Sequence, residues 1–176
     1  WSKQKTKDNA SIYKAALKLK GGPAWAKAGL FQPSGPGVLG VNWSIFPGTY
    51  RGAEMGADFG GLSLSAAWAD EYKAPWYYEL YSFRKRDGET KVDYLWSMGA
   101  RYTFENELSL ELAYGESEDY LKNAHFKLNK TQTLGELQKL NYGYTLYTMA
   151  DNDNSGSLND NFDGVAYQHY VHAKFE

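Results

Sequence analysis

Residues 92–115 read VDYLWSMGARYTFENELSLELAYG, and apolar side chains occupy every second position in both halves of this stretch. One face of the first half carries Val92, Tyr94, Trp96, Met98, Ala100, Tyr102 and Phe104. The second half repeats the pattern with Leu108, Leu110, Leu112 and Tyr114. A period of two is typical of β-strands, and the polar connection at 105–107 is short. The stretch therefore predicts an antiparallel hairpin with one apolar face.

The same period of two continues in both directions from this hairpin. It predicts nine strands, at residues 11–20, 23–31, 49–59, 62–70, 92–104, 108–115, 120–130, 134–149 and 164–175. Gly21-Gly22 and Gly60-Gly61 separate the first two pairs of strands, and two-residue turns of this kind are typical of β-hairpins. The connections between the pairs are long, as at residues 32–48 and 71–90.

Short turns therefore alternate with long loops along nearly the whole chain. Strands of about ten residues with one apolar face, short turns at one end and long loops at the other are typical of outer-membrane barrels. We predict an all-β fold, an antiparallel up-and-down transmembrane β-barrel. The residues predicted to face lipid are Tyr94, Trp96, Met98, Tyr102, Leu110 and Leu112. The alternative is a soluble β-barrel or sandwich that binds a ligand inside, which the unequal loop lengths disfavour.

The composition is consistent with a membrane surface. The chain has 15 Tyr and 6 Trp beside a mean hydropathy of −0.62, and these two residue types suit interfaces between water and apolar groups. The chain has no Cys, which excludes disulfides and zinc–thiolate sites. A net charge of −2 argues against a nucleic-acid partner.

The strand count predicts an incomplete barrel. Nine is an odd number, whereas bacterial single-chain barrels close with even numbers of strands. We therefore expect residues 1–176 to form a single segment of a larger porin barrel. The first residues contain no apolar core of a signal peptide.

Several stretches resemble the OprD family of outer-membrane porins. These stretches are NWS at 42–44, SIFPGTYRG at 44–52, GGLSL at 60–64, WADEYKAPWY at 68–77 and YSFRK at 81–85. Within the family they are most similar to the chitoporin branch. The resemblance implies a bacterial outer-membrane location and passive, substrate-selective diffusion through a monomeric or homotrimeric barrel. It also implies an inward-folded loop that narrows the pore and a basic ladder on the inner wall.

The face opposite each apolar stripe is predicted to line water in such a pore. The predicted lining residues are Lys14, Lys18, Lys27 and Arg101, with positive charge, and Glu54, Asp58, Asp93 and Glu111, with negative charge. Charges of both signs on facing walls produce a transverse field that orients dipolar solutes. The alternative for each residue is a solvated side chain with no selective role. Arg51 is predicted to point outward near a strand end.

The long loops carry the aromatic residues expected of a sugar-binding surface. They are Trp43, Trp76, Tyr77, Tyr78 and Tyr81. Sugars stack their apolar faces on aromatic rings, so these residues predict chito-oligosaccharides as the solutes. The alternative is that the rings pack the loops against the barrel rim. The lysines of the first two strands equally suit carboxylates, which leaves aromatic acids as an alternative. The family resemblance leaves basic amino acids as a further alternative substrate.

No catalytic, metal or cofactor site is predicted. Residues 151–159 follow the calcium-loop pattern, but Phe162 occupies the twelfth position, where a bidentate acid is needed. His169 and His172 are three residues apart, which places them on opposite faces of a strand. No nucleophile motif accompanies His125. The predicted partners are therefore small solutes and outer-membrane lipid.

Overall fold

The computed structural model describes residues 12–39, 48–74, 77–135, 138–152 and 164–175. The strands in these ranges are β1 (Ala15–Gly21), β2 (Ala24–Phe31), β3 (Thr49–Phe59), β4 (Leu62–Lys73), β5 (Tyr81–Arg84), β6 (Lys91–Val92), β7 (Leu95–Thr103), β8 (Leu108–Ser117), β9 (Leu121–Thr133), β10 (Lys139–Asp151) and β11 (Val165–Phe175). No helix in these ranges is long and apolar enough to cross a membrane.

Nine strands form one continuous antiparallel sheet in the order β1-β2-β3-β4-β7-β8-β9-β10-β11. Each strand pairs with its sequence neighbour, except that β4 pairs with β7 across a small hairpin made by β5 and β6. The prediction of an all-β, antiparallel, up-and-down fold is confirmed. Within the described residues the sheet is open, with β1 and β11 as its outer strands.

The register places chemically different residues on the two faces of the sheet. We call the side that carries Lys27, Glu54, Ser65, Ser97 and Glu111 the polar face. We call the opposite side, which carries Leu19, Met55, Leu64, Met98 and Leu112, the apolar face. The period of two seen in the sequence is thus maintained across hydrogen-bonded neighbours.

The apolar face is uncovered. Leu19 and Leu112 are 63% and 62% exposed, and no second sheet packs on this face among the described residues. Of the residues predicted to face lipid, Met98 and Tyr102 are 50% and 45% exposed. The ring of Trp96 packs against that of Tyr114 on the same face. A soluble sandwich requires such side chains to be enclosed between two sheets, so that alternative does not agree with the structure.

Both two-residue turns have glycine in the first turn position. Gly22 has φ +58° and Gly60 has φ +61°, and a type II′ turn requires a positive φ at this position. The first turn is Gly22-Pro23, between the paired residues Gly21 and Ala24. It therefore lies one residue later than predicted, because Gly21 still belongs to β1. The second turn, Gly60-Gly61, is as predicted.

Three details of the chain path differ from the sequence prediction. The strand predicted at 92–104 begins at Leu95, because the preceding residues connect the β5–β6 hairpin to the sheet. The strand predicted to begin at 134 begins at Lys139, because β9 continues to Thr133. The β8–β9 connection spans only residues 118–120, although it lies at the end of the sheet where the long loops lie.

Candidate functional site

Residues 32–39, which we call the crossing segment, leave the end of β2 and lie across the polar face. Val38 donates a backbone hydrogen bond to Oγ of Ser97 on β7 at 2.8 Å. Ser65 on β4 donates its hydroxyl to the carbonyl oxygen of Pro36. The segment therefore passes from the neighbourhood of β3 over β4 to β7. The family resemblance implied a loop folded onto the inner wall of a pore, and the crossing segment is folded onto the polar face of the sheet.

Small residues on the sheet make room for the crossing segment. A Cβ atom at Gly99 of β7 would lie 2.5 Å from the carbonyl oxygen of Pro36. A Cβ atom at Gly115 of β8 would collide with a methyl group of Val38. Such separations are far below van der Waals contact, so these positions require glycine for the segment to lie against the wall.

Glu54 fixes the start of the crossing segment. Its carboxylate accepts the backbone N–H of Ser34 at 3.0 and 3.1 Å and the N–H of Gly35 at 2.8 Å. Nζ of Lys27 lies 2.6 Å from Oε2 of Glu54 and also donates to the hydroxyl of Ser34 at 2.9 Å. Charge-assisted hydrogen bonds of this kind are stronger than neutral ones.

Two predicted lining residues are thus occupied in holding the segment. The side chains of Lys27 and Glu54 are 11% and 2% exposed. Both lie on the polar face, where the alternation of the sequence placed them, but beneath the crossing segment. Their charges neutralise each other at close range and contribute little to a field across open water.

A second group of charged residues surrounds Glu111 on β8. Nε of Arg101 donates to Oε2 of Glu111 at 2.7 Å. The other carboxylate oxygen lies 2.8 Å from Nε2 of His125 and 3.3 Å from Nζ of Lys127. Glu111 is buried, whereas the side chains of Arg101 and Lys127 are 42% and 29% exposed. This group therefore presents basic side chains over a buried carboxylate.

Lys18 and Asp58 lie on the polar face outside both groups. Nζ of Lys18 lies 5.6 Å from the ring centre of Trp25, which is within the range of a cation–π contact. Asp58 accepts a hydrogen bond from Ser63 at 2.7 Å beside the Gly60-Gly61 turn. The structure does not bring these two residues together with Glu111.

Lys14, Asp93 and Arg51 lie near the loop end of the sheet. Lys14 contacts the amide oxygen of Gln32 at 3.5 Å. Asp93 precedes β7 and pairs with Lys91 at 2.7 Å, with both side chains more than half exposed. Arg51 pairs with Asp70 at 2.6 Å and Glu71 at 2.8 Å. Asp93 thus lies in a connection and not in the strand where it was predicted.

The three predicted sugar-stacking tyrosines in the described ranges lie in the connection after β4 and at the start of β5. The rings of Tyr77 and Tyr81 are 4.5 Å apart at 50°. Tyr77, Tyr78 and Tyr81 are 40%, 56% and 49% exposed. The other two predicted residues, Trp43 and Trp76, lie outside the described residues, as do residues 153–163 of the calcium-like stretch.

Trp25 and Lys127 are polar-face residues that the sequence prediction omitted. The ring of Trp25 covers Gly56, whose missing side chain leaves the space. Lys127 is paired with Glu111 in the β8–β9 register. The sequence pattern did indicate their face, because both residues alternate with apolar neighbours. Trp25 is two residues from Lys27 and therefore lies on the same face of β2. As predicted, His169 and His172 lie on opposite faces, bonded to Tyr144 and Asn141 respectively.

Comparisons with known proteins agree with these features. A family model described as "outer membrane porin, OprD family" matches residues 2–176. The chain is 44% identical over 173 residues to chitoporin of Escherichia coli strain K12, covering 95% of the chain and 36% of chitoporin. It is 28% identical over 152 residues to Porin D of Pseudomonas aeruginosa, covering 84% of the chain and 34% of Porin D. The chain thus spans about a third of the length of these curated relatives.

A solved structure shows the same fold. The crystal structure of Pseudomonas aeruginosa OpdK with vanillate matches 91% of this chain and 41% of its own, with a TM-score of 0.71 and 24% identity. At this identity the similarity concerns the fold alone.

Proposed function

Because the chain belongs to the OprD family of outer-membrane porins, we propose that residues 1–176 form one segment of the wall of a channel for passive, substrate-selective diffusion of small hydrophilic solutes. Proteins of this family are located in the outer membrane, so the apolar face contacts lipid. The polar face then lines the channel. The complete barrel functions as a monomer or as a homotrimer. This segment of its wall has no catalytic role.

The observation that carries the proposal is the contrast between the two faces of one sheet. The apolar face carries exposed side chains such as Met55 and Val171 and no covering layer among the described residues. The polar face carries the crossing segment, held by Glu54 and Ser97. Lipid on one side accounts for the exposed apolar side chains, and a narrowed aqueous path on the other side accounts for the polar face with its crossing segment.

Chito-oligosaccharides are the solutes that we propose. The 44% identity to a chitoporin supports this choice. The partly exposed rings of Tyr77, Tyr78 and Tyr81 supply stacking surfaces at the loop end of the sheet. Part of the positive charge along the wall is also neutralised at close range, because Lys27 pairs with Glu54 and both Arg101 and Lys127 pair with Glu111.

Aromatic acids are the second candidate. Lys18 and Lys20 on β1 are exposed on the polar face and suit carboxylates. OpdK, which shares the fold, was solved with the aromatic acid vanillate. Basic amino acids have less support, because the carboxylates of Glu54 and Glu111 are buried and already paired.

Single-channel recording of the full-length protein in a planar bilayer tests the substrate. We expect chitotetraose to block the ion current in a concentration-dependent way. Tyr81→Ala is expected to weaken the block, as is Trp76→Ala, whereas Tyr167→Ala on the apolar face is the matched control. An unchanged current at millimolar sugar together with saturable block by benzoate or arginine would reject chito-oligosaccharides and leave the general porin.

A further inference from the structure

The polar face of β10 and β11 carries a group of aromatic and polar side chains that the sequence pattern alone does not connect. We call this group the wall patch, and its members are Asn141, Thr145, Tyr147, Gln168, Tyr170 and His172. The register pairs Thr145 with Tyr170 and Tyr147 with Gln168, so these side chains share one face of two neighbouring strands. Tyr147 also pairs with His125 of β9, which belongs to the polar face through its contact with Glu111.

The wall patch is electrically different from the rest of the polar face. Residues 141–149 and 166–172 contain no Asp, Glu, Lys or Arg. The polar face of β1 and β2 carries Lys18 and Lys27, and that of β7 carries Arg101. Two basic side chains border the wall patch: Lys127 lies opposite Thr145 and is tied to Glu111 at 3.3 Å, and Lys174 lies opposite Asn141 near the end of β11. Between these two lysines, a solute at the wall patch meets aromatic, hydroxyl and amide groups.

The tyrosine rings of the wall patch are both accessible and supported. Tyr147 and Tyr170 are 40% and 53% exposed. The rings of Tyr170 and His172 are 5.7 Å apart and nearly parallel, at 25°. His172 is in turn held by Asn141 at 3.0 Å, and Tyr147 contacts the ring of His125 edge-on at 5.8 Å. Neighbouring groups thus restrict both rings before a solute arrives, which lowers the entropy cost of binding.

These groups match the chemistry of a neutral sugar ring. A pyranose presents an apolar face of C–H groups, which stacks on an aromatic ring, and a rim of hydroxyl and acetamido groups, which needs donors and acceptors. Tyr147 and Tyr170 supply the rings, and the exposed amide of Gln168 supplies both a donor and an acceptor.

We propose that the wall patch is a binding subsite, within the channel, for one uncharged sugar unit of an oligosaccharide. This inference rests on the proposed function and adds a second stacking site beyond the tyrosines of the outer connection. Tyr77 and Tyr81 lie before and at the start of the β5–β6 hairpin, whereas Tyr147 and Tyr170 lie within strands of the wall. An oligosaccharide that leaves the outer site meets the wall patch on its way through the barrel.

Sugar block of the full-length porin, recorded from single channels, tests the wall patch. We expect Tyr170→Leu and Tyr147→Leu each to raise the dissociation constant for chitotetraose by about fivefold to tenfold, because leucine keeps an apolar volume but removes the flat ring. Conductance in salt alone is expected to stay at the wild-type value, which shows that the variants fold and insert. Tyr167→Leu is the matched control, because Tyr167 lies on the apolar face of the same strand and is 64% exposed.

The outcomes separate the wall patch from the proposed function. If the wild-type channel is blocked by sugar but both polar-face variants are blocked with the same affinity, the wall patch is rejected and the chitoporin-like function stands. If sugar does not block the wild-type channel, the proposed substrate fails, and the wall patch fails with it. An equal loss of block in Tyr167→Leu also rejects the wall patch, because that ring does not face the channel.

Discussion

Glu54 anchors the start of the crossing segment. Its nearly buried carboxylate accepts two backbone N–H groups and pairs with Lys27 at 2.6 Å. Removal of one partner from a buried ion pair costs about 3 kcal/mol or more, because the other charge stays buried and unpaired. We therefore expect Glu54→Gln to detach the start of the segment. Single-channel recording of the full-length protein in salt is expected to show a higher or more strongly fluctuating conductance.

Asp58→Asn is the matched control for Glu54→Gln. Asp58 is an acid on the same strand and the same face, and the substitution removes the same charge from the polar face. Its carboxylate is bonded by Ser63 and by no described residue of the crossing segment. Equal changes of conductance in the two variants would mean that the lost charge matters and that the anchoring of the segment does not.

At the scale of elements, the crossing segment and the four strands beneath it, β3, β4, β7 and β8, form one unit. Gly99 lets the carbonyl of Pro36 approach the wall of β7. Gly99→Leu is expected to push the segment off the polar face, because a Cβ there has no room. Leu39 of the crossing segment is only 8% exposed, so in a Leu39→Cys background a water-soluble maleimide is expected to label the protein several times faster after Gly99→Leu.

The control for this displacement is Ala100→Leu in the same background. Ala100 follows Gly99 on β7 but lies on the apolar face, paired with Leu64 and Leu112. A leucine there meets lipid and leaves the crossing segment in place. Equal labelling of Leu39→Cys with and without Gly99→Leu would show that the segment does not depend on the glycine.

The strands could be predicted from the sequence because each one shows the period of two within its own residues. The path of the crossing segment could not be predicted, because its supports on β3, β4, β7 and β8 become neighbours only through the sheet register. For the same reason, the position of Glu54 in the alternating pattern of its strand indicated which face it lies on, but not that the crossing segment buries it. The wall patch also depends on pairing, since Tyr147 and Tyr170 belong to segments separated by a long connection.

At the scale of the whole molecule, the sheet separates two solvents, and the two faces tolerate opposite substitutions. Leu19 is 63% exposed on the apolar face, although Lys18 and Lys20 flank it on the polar face. Leu19→Lys places a charge against lipid, which costs about 2–4 kcal/mol near the middle of the membrane and less near its surface. Denaturant titration of the full-length protein in lipid vesicles is expected to show that Leu19→Lys lowers the free energy of unfolding by the cost of this charge.

Ala16→Lys tests whether the effect belongs to the face and not to the added charge. Ala16 lies on β1 three residues before Leu19, is exposed, and has the parity of Lys18, so a lysine there enters the water-filled side. Its free energy of unfolding is expected to stay within about 0.5 kcal/mol of wild type, as for ordinary surface substitutions. A larger loss in Ala16→Lys than in Leu19→Lys would reverse the assignment of the faces, and with it the placement of the channel on the side that carries the crossing segment.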